Sequence, residues 1–125
     1  MHISSPKGLE IYKRAWALSM MIFELSKRFP SDEKFAMISQ TRRSSRSVCM
    51  NLREAWAKRR YEAHFIMKLT DCDGENSETG TRLDYALACS YITQDQHKEM
   101  TSLSHEIGRM LNAMTAHPEK FTARQ

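Results

Sequence analysis

Four arginines recur along one predicted helix at a spacing suited to binding a phosphate backbone. They are Arg42, Arg46, Arg53 and Arg60, separated by steps of four, seven and seven residues. At about 100° per residue, all four fall within about 40° of each other on a straight helix. A guanidinium group donates paired hydrogen bonds to phosphate, so this arginine comb could meet successive phosphates of a nucleic acid. The full set of candidate nucleic-acid-binding residues is Lys7, Arg42, Arg46, Arg53, Lys58, Arg59 and Arg60.

A second interpretation of the comb comes from an acidic strip on the following helix. Asp71, Glu75 and Glu78 lie at steps of four and three, which places them on one helix face. The arginines of the comb could therefore form ion pairs with this strip across a subunit boundary. The residues alone leave both interpretations open. The net charges of the two predicted helical segments are also opposite: residues 31–60 carry +5 and residues 61–90 carry −4.

The same basic helix carries a second stripe, which is polar throughout. Its members fall within roughly 80° of each other on a straight helix. We predict that they form a hydrogen-bonding network in the core or at an interface, where such a network fixes register between helices. The candidate members of this polar stripe are Gln40, Arg43, Ser47, Asn51 and Glu54, followed by Lys58, with Glu78 of the next helix as a further candidate.

No pattern in the chain indicates a reaction or a cofactor, and the alternative that stays open is a hard-cation site on Asp71, Glu75 and Glu78. No Glu is followed three positions later by His, as a di-metal bundle site requires. There is no glycine-rich phosphate loop and no Gly-x-Ser-x-Gly elbow. The three cysteines form no CxxC pair, which favours a reducing cytoplasm. The longest apolar run, nine residues from Ala15 to Phe23, is about half of what a membrane span needs. We therefore predict a cytoplasmic protein that is not an enzyme.

Hydrophobic periodicity predicts an all-α fold with one domain over residues 1–125. The expected helices cover about 8–28, 31–59, 61–91 and 93–116. Pro30 followed by Ser31 predicts a helix start with Ser31 as its cap, and Thr93 with Gln96 forms a capping-box pattern. The segment Lys58 to Tyr61 has no turn residue, so the sequence does not separate a tight turn from one long rod.

The first helix carries two apolar stripes on roughly opposite sides, which predicts an oligomer. One stripe would suffice for packing within a bundle, so the second implies another contact surface. The first stripe is Leu9, Tyr12, Trp16, Met20 and Phe23, and the second is Ile11, Ala15, Leu18, Ile22, Leu25 and Phe29.

Several motifs in order resemble the four-helix-bundle family named for proteins encoded in intervening sequences of bacterial 23S rRNA genes. Relatives of that family include the accessory variability determinant of diversity-generating retroelements. The resemblance runs from about Leu9 to Leu111 and is specific because four motifs occur in the family's order. The motifs are Phe29-Pro30-x-x-Glu33-Lys34-Phe35 followed by Gln40, Arg42-Arg43, Ser47, Asn51 and Glu54; then Leu69, Gly74, Glu78, Thr81, Leu83 and Ala86; and finally Glu106-Ile107 with Met110-Leu111.

This resemblance implies an up-down four-helix bundle, a homopentameric ring and a basic surface suited to RNA or DNA. In the retroelement relatives it also implies a reverse-transcriptase partner. Arg46 and Arg53 depart from the family, which usually has small or apolar residues there, and Glu75 likewise replaces a small residue. One account is that Arg46 and Arg53 of one subunit meet Asp71, Glu75 or Glu78 of a neighbour. The alternative function is an adaptor oligomer that docks a protein partner and uses its arginines in subunit contacts.

Overall fold

The computed structural model of the chain describes residues 5–122 and confirms an all-α fold with four long helices. These helices are α1 (Glu10–Ser26), α2 (Ser39–Ala57), α3 (Glu62–Ala88) and α4 (Gln94–Ala116), followed by one short helical turn, α5 (Glu119–Thr122). A 3-10 turn, Pro6–Gly8, precedes α1. The predicted domain spans residues 1–125, and its residues 1–4 and 123–125 lie outside the described part. Within residues 5–122, no helix combines the length and apolarity needed to cross a membrane.

Consecutive helices run antiparallel, as their side-chain contacts show. Between α2 and α3, Arg43 reaches Glu78 near the start of α2, and Glu54 reaches Lys68 near its end. Each step forward along α2 therefore corresponds to a step backward along α3. The short connections from α2 to α3 (residues 58–61) and from α3 to α4 (residues 89–93) favour this order.

The four helices form a square in which each long helix packs against two others. Helices α1 and α3 lie at opposite corners, and both contact α2 and α4. The square has two opposite sides that carry different kinds of side chain, one between α1 and α2 and one between α3 and α4. We call them the α1–α2 face and the α3–α4 face, after the helices that border them.

Within a largely apolar core, two buried polar pairs connect neighbouring helices. Burying one large apolar side chain stabilises a fold by about 1.5–3 kcal/mol. Between α3 and α4, the Asn76 amide donates to the Ser104 carbonyl at 2.9 Å, and the Ser104 hydroxyl donates to Asn76 Oδ1 at 3.1 Å. Between α2 and α3, the Thr79 hydroxyl lies 2.8 Å from that of Ser44. The largest fully buried apolar side chains include Leu18, Leu52, Phe65, Leu69, Leu83, Met100, Ile107 and Leu111.

The start of the second helical segment differs from the prediction. Ser31 does not cap it, because Ser31–Glu33 is a 3-10 turn preceded by Pro30 with no side-chain cap hydrogen bond. A π-helical turn, Lys34–Ile38, then leads into α2. This turn is wider than an α-helical one, so it rotates the preceding side chains out of phase with the core. Phe35, which regular helical spacing would place on one face with Ile38 and Cys49, is consequently 84% exposed.

The other helix boundaries follow local signals. A tight turn separates α2 from α3, with Tyr61 in an extended conformation before α3 begins. The capping box at the start of α4 is confirmed: Thr93 and Gln96 each accept a hydrogen bond from the other's backbone N–H. Between these points, Ser90 adopts a left-handed φ of 63° just after α3 ends.

Candidate nucleic-acid interface

The arginine comb lies on the α1–α2 face, but its members have different environments. The Arg42 Nε donates to the Ser26 hydroxyl at 2.8 Å, and its guanidinium lies 4.8 Å from the centre of the Phe23 ring. Arg46 approaches the same ring at 5.7 Å. Arg53 and Arg60 are exposed and form no ion pair within the described residues. The comb therefore divides into a half packed on α1 and a half that faces solvent.

The solvent-facing half continues into a cluster of cations at the α2–α3 turn. Lys58, Arg59 and Arg60 are consecutive there, and none forms an ion pair within the part of the chain described. The Arg59 guanidinium stacks 4.0 Å above the Trp56 ring, and its Nη1 donates to the Trp56 carbonyl at 2.8 Å. Tyr61 ends the turn and is 59% exposed. A stacked guanidinium that keeps free N–H groups is well placed to bind phosphate.

The start of the chain extends this cluster. The 3-10 turn that contains Lys7 packs against α1 and α2. A recess of about 340 Å³ is lined by Lys7, Tyr12, Lys13 and Trp16. The Tyr12 and Trp16 rings stack with their centroids 6.5 Å apart. Glu10 supplies one counter-charge, since it pairs with Lys13 at 3.3 Å.

We call the whole cluster the basic end of the bundle. It combines cations with exposed or half-buried aromatic rings, a combination suited to binding single-stranded nucleic acid by phosphate contact and base stacking. The sequence had indicated the cations at the turn but not the rings or Lys13. The usable signal was the three-residue spacing between Trp56, on the last turn of α2, and Arg59, just after the helix ends. The basic end comprises Lys7, Lys13, Arg53, Lys58, Arg59 and Arg60 with Trp16, Trp56 and Tyr61.

The polar stripe lies along the outer edge of the contact between α2 and α3. Gln40 accepts a hydrogen bond from Arg43, and the Asn51 amide donates to the Ser47 carbonyl at 3.0 Å. Glu54 is bound by Lys68 of α3 at 2.8 Å. The hydrogen bond from Lys68 holds the pKa of the Glu54 carboxyl below its ordinary value. The stripe thus connects two helices of one chain while its charged members remain partly exposed.

The acidic strip also finds partners within its own chain. Arg43 of α2 bridges it, with Nη1 at 3.2 Å from Glu75 and Nη2 at 3.0 Å from Glu78. Arg82 donates to Glu78 at 2.9 Å, and this hydrogen bond is the main reason why the pKa of Glu78 is lowered. Asp71 lies 3.5 Å from Lys68. Glu75 and Glu78 are therefore engaged within the subunit by an arginine outside the comb.

Two buried cysteines are too deeply enclosed to act as nucleophiles. Burial raises the pKa of the Cys49 thiol to about 11, and that of Cys72 is raised by the same cause. Both thiols are therefore protonated and unreactive near neutral pH. Across residues 5–122, no three His, Cys, Asp or Glu side chains come together in a group that could hold a metal ion.

Comparison with known proteins places the chain in a family. It is similar to a solved structure from Bacteroides thetaiotaomicron, described as a protein of unknown function from the S23 ribosomal protein family. That match has a TM-score of 0.77 and 29% sequence identity, and it covers 85% of this chain and 95% of that chain. The chain matches no curated protein. A family model described as 23S rRNA-intervening sequence protein matches residues 7–113. The chain therefore belongs to the family of 23S rRNA-intervening sequence proteins.

Proposed function

We propose that this chain is a non-catalytic protein that binds RNA or DNA through the basic end of its bundle. The observation that carries the proposal is the α2–α3 turn, where Lys58, Arg59 and Arg60 occupy three consecutive positions without an ion pair among the described residues. A carboxylate partner would have neutralised these charges and reduced their attraction for phosphate. The turn instead presents them at an exposed end of the molecule.

The neighbouring rings give the basic end a second means of contact. Tyr61 is exposed beside the turn, and Trp16 is 55% exposed beside Lys13. Stacking of a base on an aromatic side chain is worth about 1–3 kcal/mol and tolerates any sequence. Within residues 5–122, the basic end offers cations for phosphates and rings for stacking, and neither kind of contact identifies a base, so we expect weak sequence preference. Single strands should therefore bind better than duplexes.

We also propose that several copies assemble into a homo-oligomeric ring, with five copies as the resemblance implies. The support within this chain is the exposed apolar surface of α1, where Trp16 and Met20 are 55% and 41% exposed. Exposed apolar side chains that cluster together typically mark an interface. A reverse-transcriptase partner remains a prediction from the resemblance alone.

Salt-dependent binding of a labelled single-stranded RNA and a DNA of the same sequence tests the proposed site. We expect the logarithm of the association constant to fall linearly with the logarithm of salt concentration. Reversing two charges, in Lys58→Glu with Arg60→Glu, should reduce the slope by about 0.7 for each phosphate of a single strand that the variant no longer neutralises. Fluorescence anisotropy between low and moderate salt measures both slopes.

The matched control reverses two cations at the other end of the bundle. Lys34→Glu with Lys98→Glu changes the net charge equally, and both lysines are exposed and unpaired among the described residues. This control should keep most of the affinity and the slope. An equal loss in both double variants would show that overall charge, not the basic end, drives binding. If the wild-type protein retains no RNA or DNA at low salt, the proposed function is wrong.

A further inference from the structure

The α1–α2 face carries large apolar side chains that the fold leaves exposed. The antiparallel contact that sets Phe23 beside Arg46 also brings Met20 level with Met50 and Trp16 level with Arg53. Met50 is 63% exposed, Trp16 55% and Met20 41%. These side chains project from the surface and are bordered by the cations of the comb. We call this part of the α1–α2 face the raised face.

The α3–α4 face, on the opposite side of the square, is concave. A groove of about 540 Å³ runs between α3 and α4. It exists because most positions that border it carry small side chains, which leave the outer surface between the two helices open above the Asn76–Ser104 pair. Its small residues are Ser77, Gly80 and Thr81 on α3 and Thr101, Ser104 and Gly108 on α4.

Packing within the chain does not require the two glycines of this groove. A Cβ atom added at Gly80 would lie 3.7 Å from the Ser104 hydroxyl, and one added at Gly108 would lie 3.8 Å from the Asn76 amide nitrogen. Both are ordinary van der Waals distances, so alanine would fit at either position. Alanine is also the better helix former. The two glycines therefore leave the groove deeper than packing within the chain requires, which leaves room for a side chain from outside.

Charge indicates what that occupant is. Arg46 and Arg53 border the raised face, and neither has a carboxylate partner within residues 5–122. The groove contains two exposed carboxylates, Asp73 and Asp84, against one arginine, Arg109. Asp73 forms no ion pair among the described residues, while Asp84 is bound by His97 at 2.8 Å. The basic, raised face and the acidic, hollow face of this one chain are therefore complementary in both shape and charge.

We infer that the α1–α2 face of one copy docks into the α3–α4 groove of a second copy. Met20 and Met50 enter the groove over Gly80 and Gly108, and Arg46 or Arg53 approaches Asp73. This inference rests on the proposed assembly of copies and assigns the two faces that form it. Asp73 thereby replaces the strip of Asp71, Glu75 and Glu78 as the acidic partner of the comb.

The position of the two faces determines the symmetry of the assembly. They lie on opposite sides of the bundle, so two copies in contact still leave one raised face and one groove unoccupied. Such a heterologous contact adds further copies until a rotation closes the ring. The α2–α3 turn with Lys58, Arg59 and Arg60 lies at an end of the bundle, beyond the raised face, and stays outside the contact between copies.

Solution mass of single-face variants tests the assignment. Met50→Glu places a carboxylate on the raised face, and Ser77→Trp fills the groove at an exposed position. Each variant alone should have the mass of one chain, 14.6 kDa. Met67→Glu is the matched control, because Met67 is 60% exposed and lies outside both faces, and it should keep the wild-type mass. Thr81→Arg serves as a second groove variant, and circular dichroism checks that each variant is folded.

An equimolar mixture of Met50→Glu and Ser77→Trp gives the decisive result. One intact groove and one intact raised face remain between the two variants, so we expect heterodimers of twice the chain mass and no larger species. A mixture that stays monomeric would overturn the heterologous contact. Single variants that keep the wild-type mass would overturn the choice of faces while the proposed assembly stands. A wild-type protein of one chain mass would refute the assembly itself.

The glycines provide a subtler test of the same contact. Gly80→Ala and Gly108→Ala raise the floor of the groove without disturbing the fold. In the monomeric Met50→Glu protein, neither glycine-to-alanine substitution should lower the midpoint of thermal unfolding. In the wild-type background, the same substitutions should weaken assembly by at least tenfold. Unchanged assembly in both alanine variants would show that the groove is not occupied by another copy.

Discussion

The contacts of α3 and the contact between α1 and α2 are built differently. Helix α3 bonds to its neighbours through buried polar pairs, Asn76 with Ser104 and Thr79 with Ser44. Helix α1 meets α2 through the Phe23 ring beneath two guanidinium groups, at a partly exposed edge. A buried donor without a partner costs about 1–3 kcal/mol, so the polar pairs permit one register only. An aromatic face attracts a cation anywhere within about 6 Å, so the contacts of the two guanidinium groups with Phe23 tolerate small shifts. The hydrogen bond from Arg42 to Ser26 is the more specific part of this edge.

The largest effect expected from this difference is at Asn76. Asn76→Ala removes both hydrogen bonds to Ser104 and leaves the Ser104 hydroxyl buried without that acceptor, so we expect a loss of about 2–3 kcal/mol in the free energy of unfolding. Urea denaturation measures it. Asn112→Ala, at an exposed position of α4, should change stability by less than about 0.5 kcal/mol. Equal small effects in both variants would remove the distinction between the two kinds of contact.

A smaller loss is expected at Thr79. Thr79→Val removes the hydroxyl that lies 2.8 Å from Ser44, but Ser44 keeps the Thr41 carbonyl as an acceptor. We expect a loss of about 1 kcal/mol, measured by the same denaturation experiment. Thr81→Val makes the same change at an exposed position and should cost less than half as much. A Thr79 variant as stable as the wild type would show that this pair does not hold the register.

The α1–α2 contact should respond more weakly still. Phe23→Leu keeps an apolar side chain but removes the ring face under Arg42 and Arg46, so we expect a loss of about 0.5–1 kcal/mol. A double-mutant cycle with Arg46→Met isolates the share that depends on the cation. A coupling energy near zero would mean that Phe23 acts only through its apolar area.

The smallest effect is a pH dependence at the exposed edge of the α2–α3 contact. The hydrogen bond from Arg82, with the charge of Arg43, lowers the pKa of Glu78 below its ordinary value of 4.5. The ionised form therefore stabilises the fold above pH 4.5, and this stabilisation is lost as the pH falls through the lowered pKa. Glu78→Gln should flatten the stability profile in that acid range by a few tenths of a kcal/mol, because the pair is partly exposed.

Thermal unfolding across the acid range measures this profile. Glu62→Gln is the control, because Glu62 is exposed and forms no ion pair among the described residues. That control should leave the profile as it is in the wild type. An unchanged profile in Glu78→Gln would show that Arg43 and Arg82 do not stabilise this carboxylate in solution.

Local signals made most of the fold predictable from the sequence. Thr93 and Gln96 form their capping box with each other's backbone, so no other helix is needed to recognise it. Asn76 and Thr79 lie at helical spacing from Leu69 and Leu83 of α3, and all four are buried. The turn at Lys58 was ambiguous, because it contains neither Gly nor Pro to mark it.

The environments of individual side chains were less predictable, because they depend on other helices. A regular 100° projection placed Phe35 in the core, and the π turn that contains it broke that regularity. The same projection grouped Arg42 with Arg60. Arg42 packs on Phe23, whereas Arg60 faces solvent. Arg43 was assigned to a polar stripe with Glu78 as a further candidate, but its second partner, Glu75, was assigned only to the acidic strip.

The location of the α2–α3 turn at one end of the bundle has a consequence for affinity. Cyclic symmetry relates copies by rotation alone, so the Lys58–Tyr61 turns of all copies would face the same side of a ring. A strand held at one turn would then meet the next turn at high local concentration, and avidity can exceed single-site affinity by about 10²–10⁴-fold. Each turn need therefore bind only weakly, and strands too short to reach two turns should dissociate quickly.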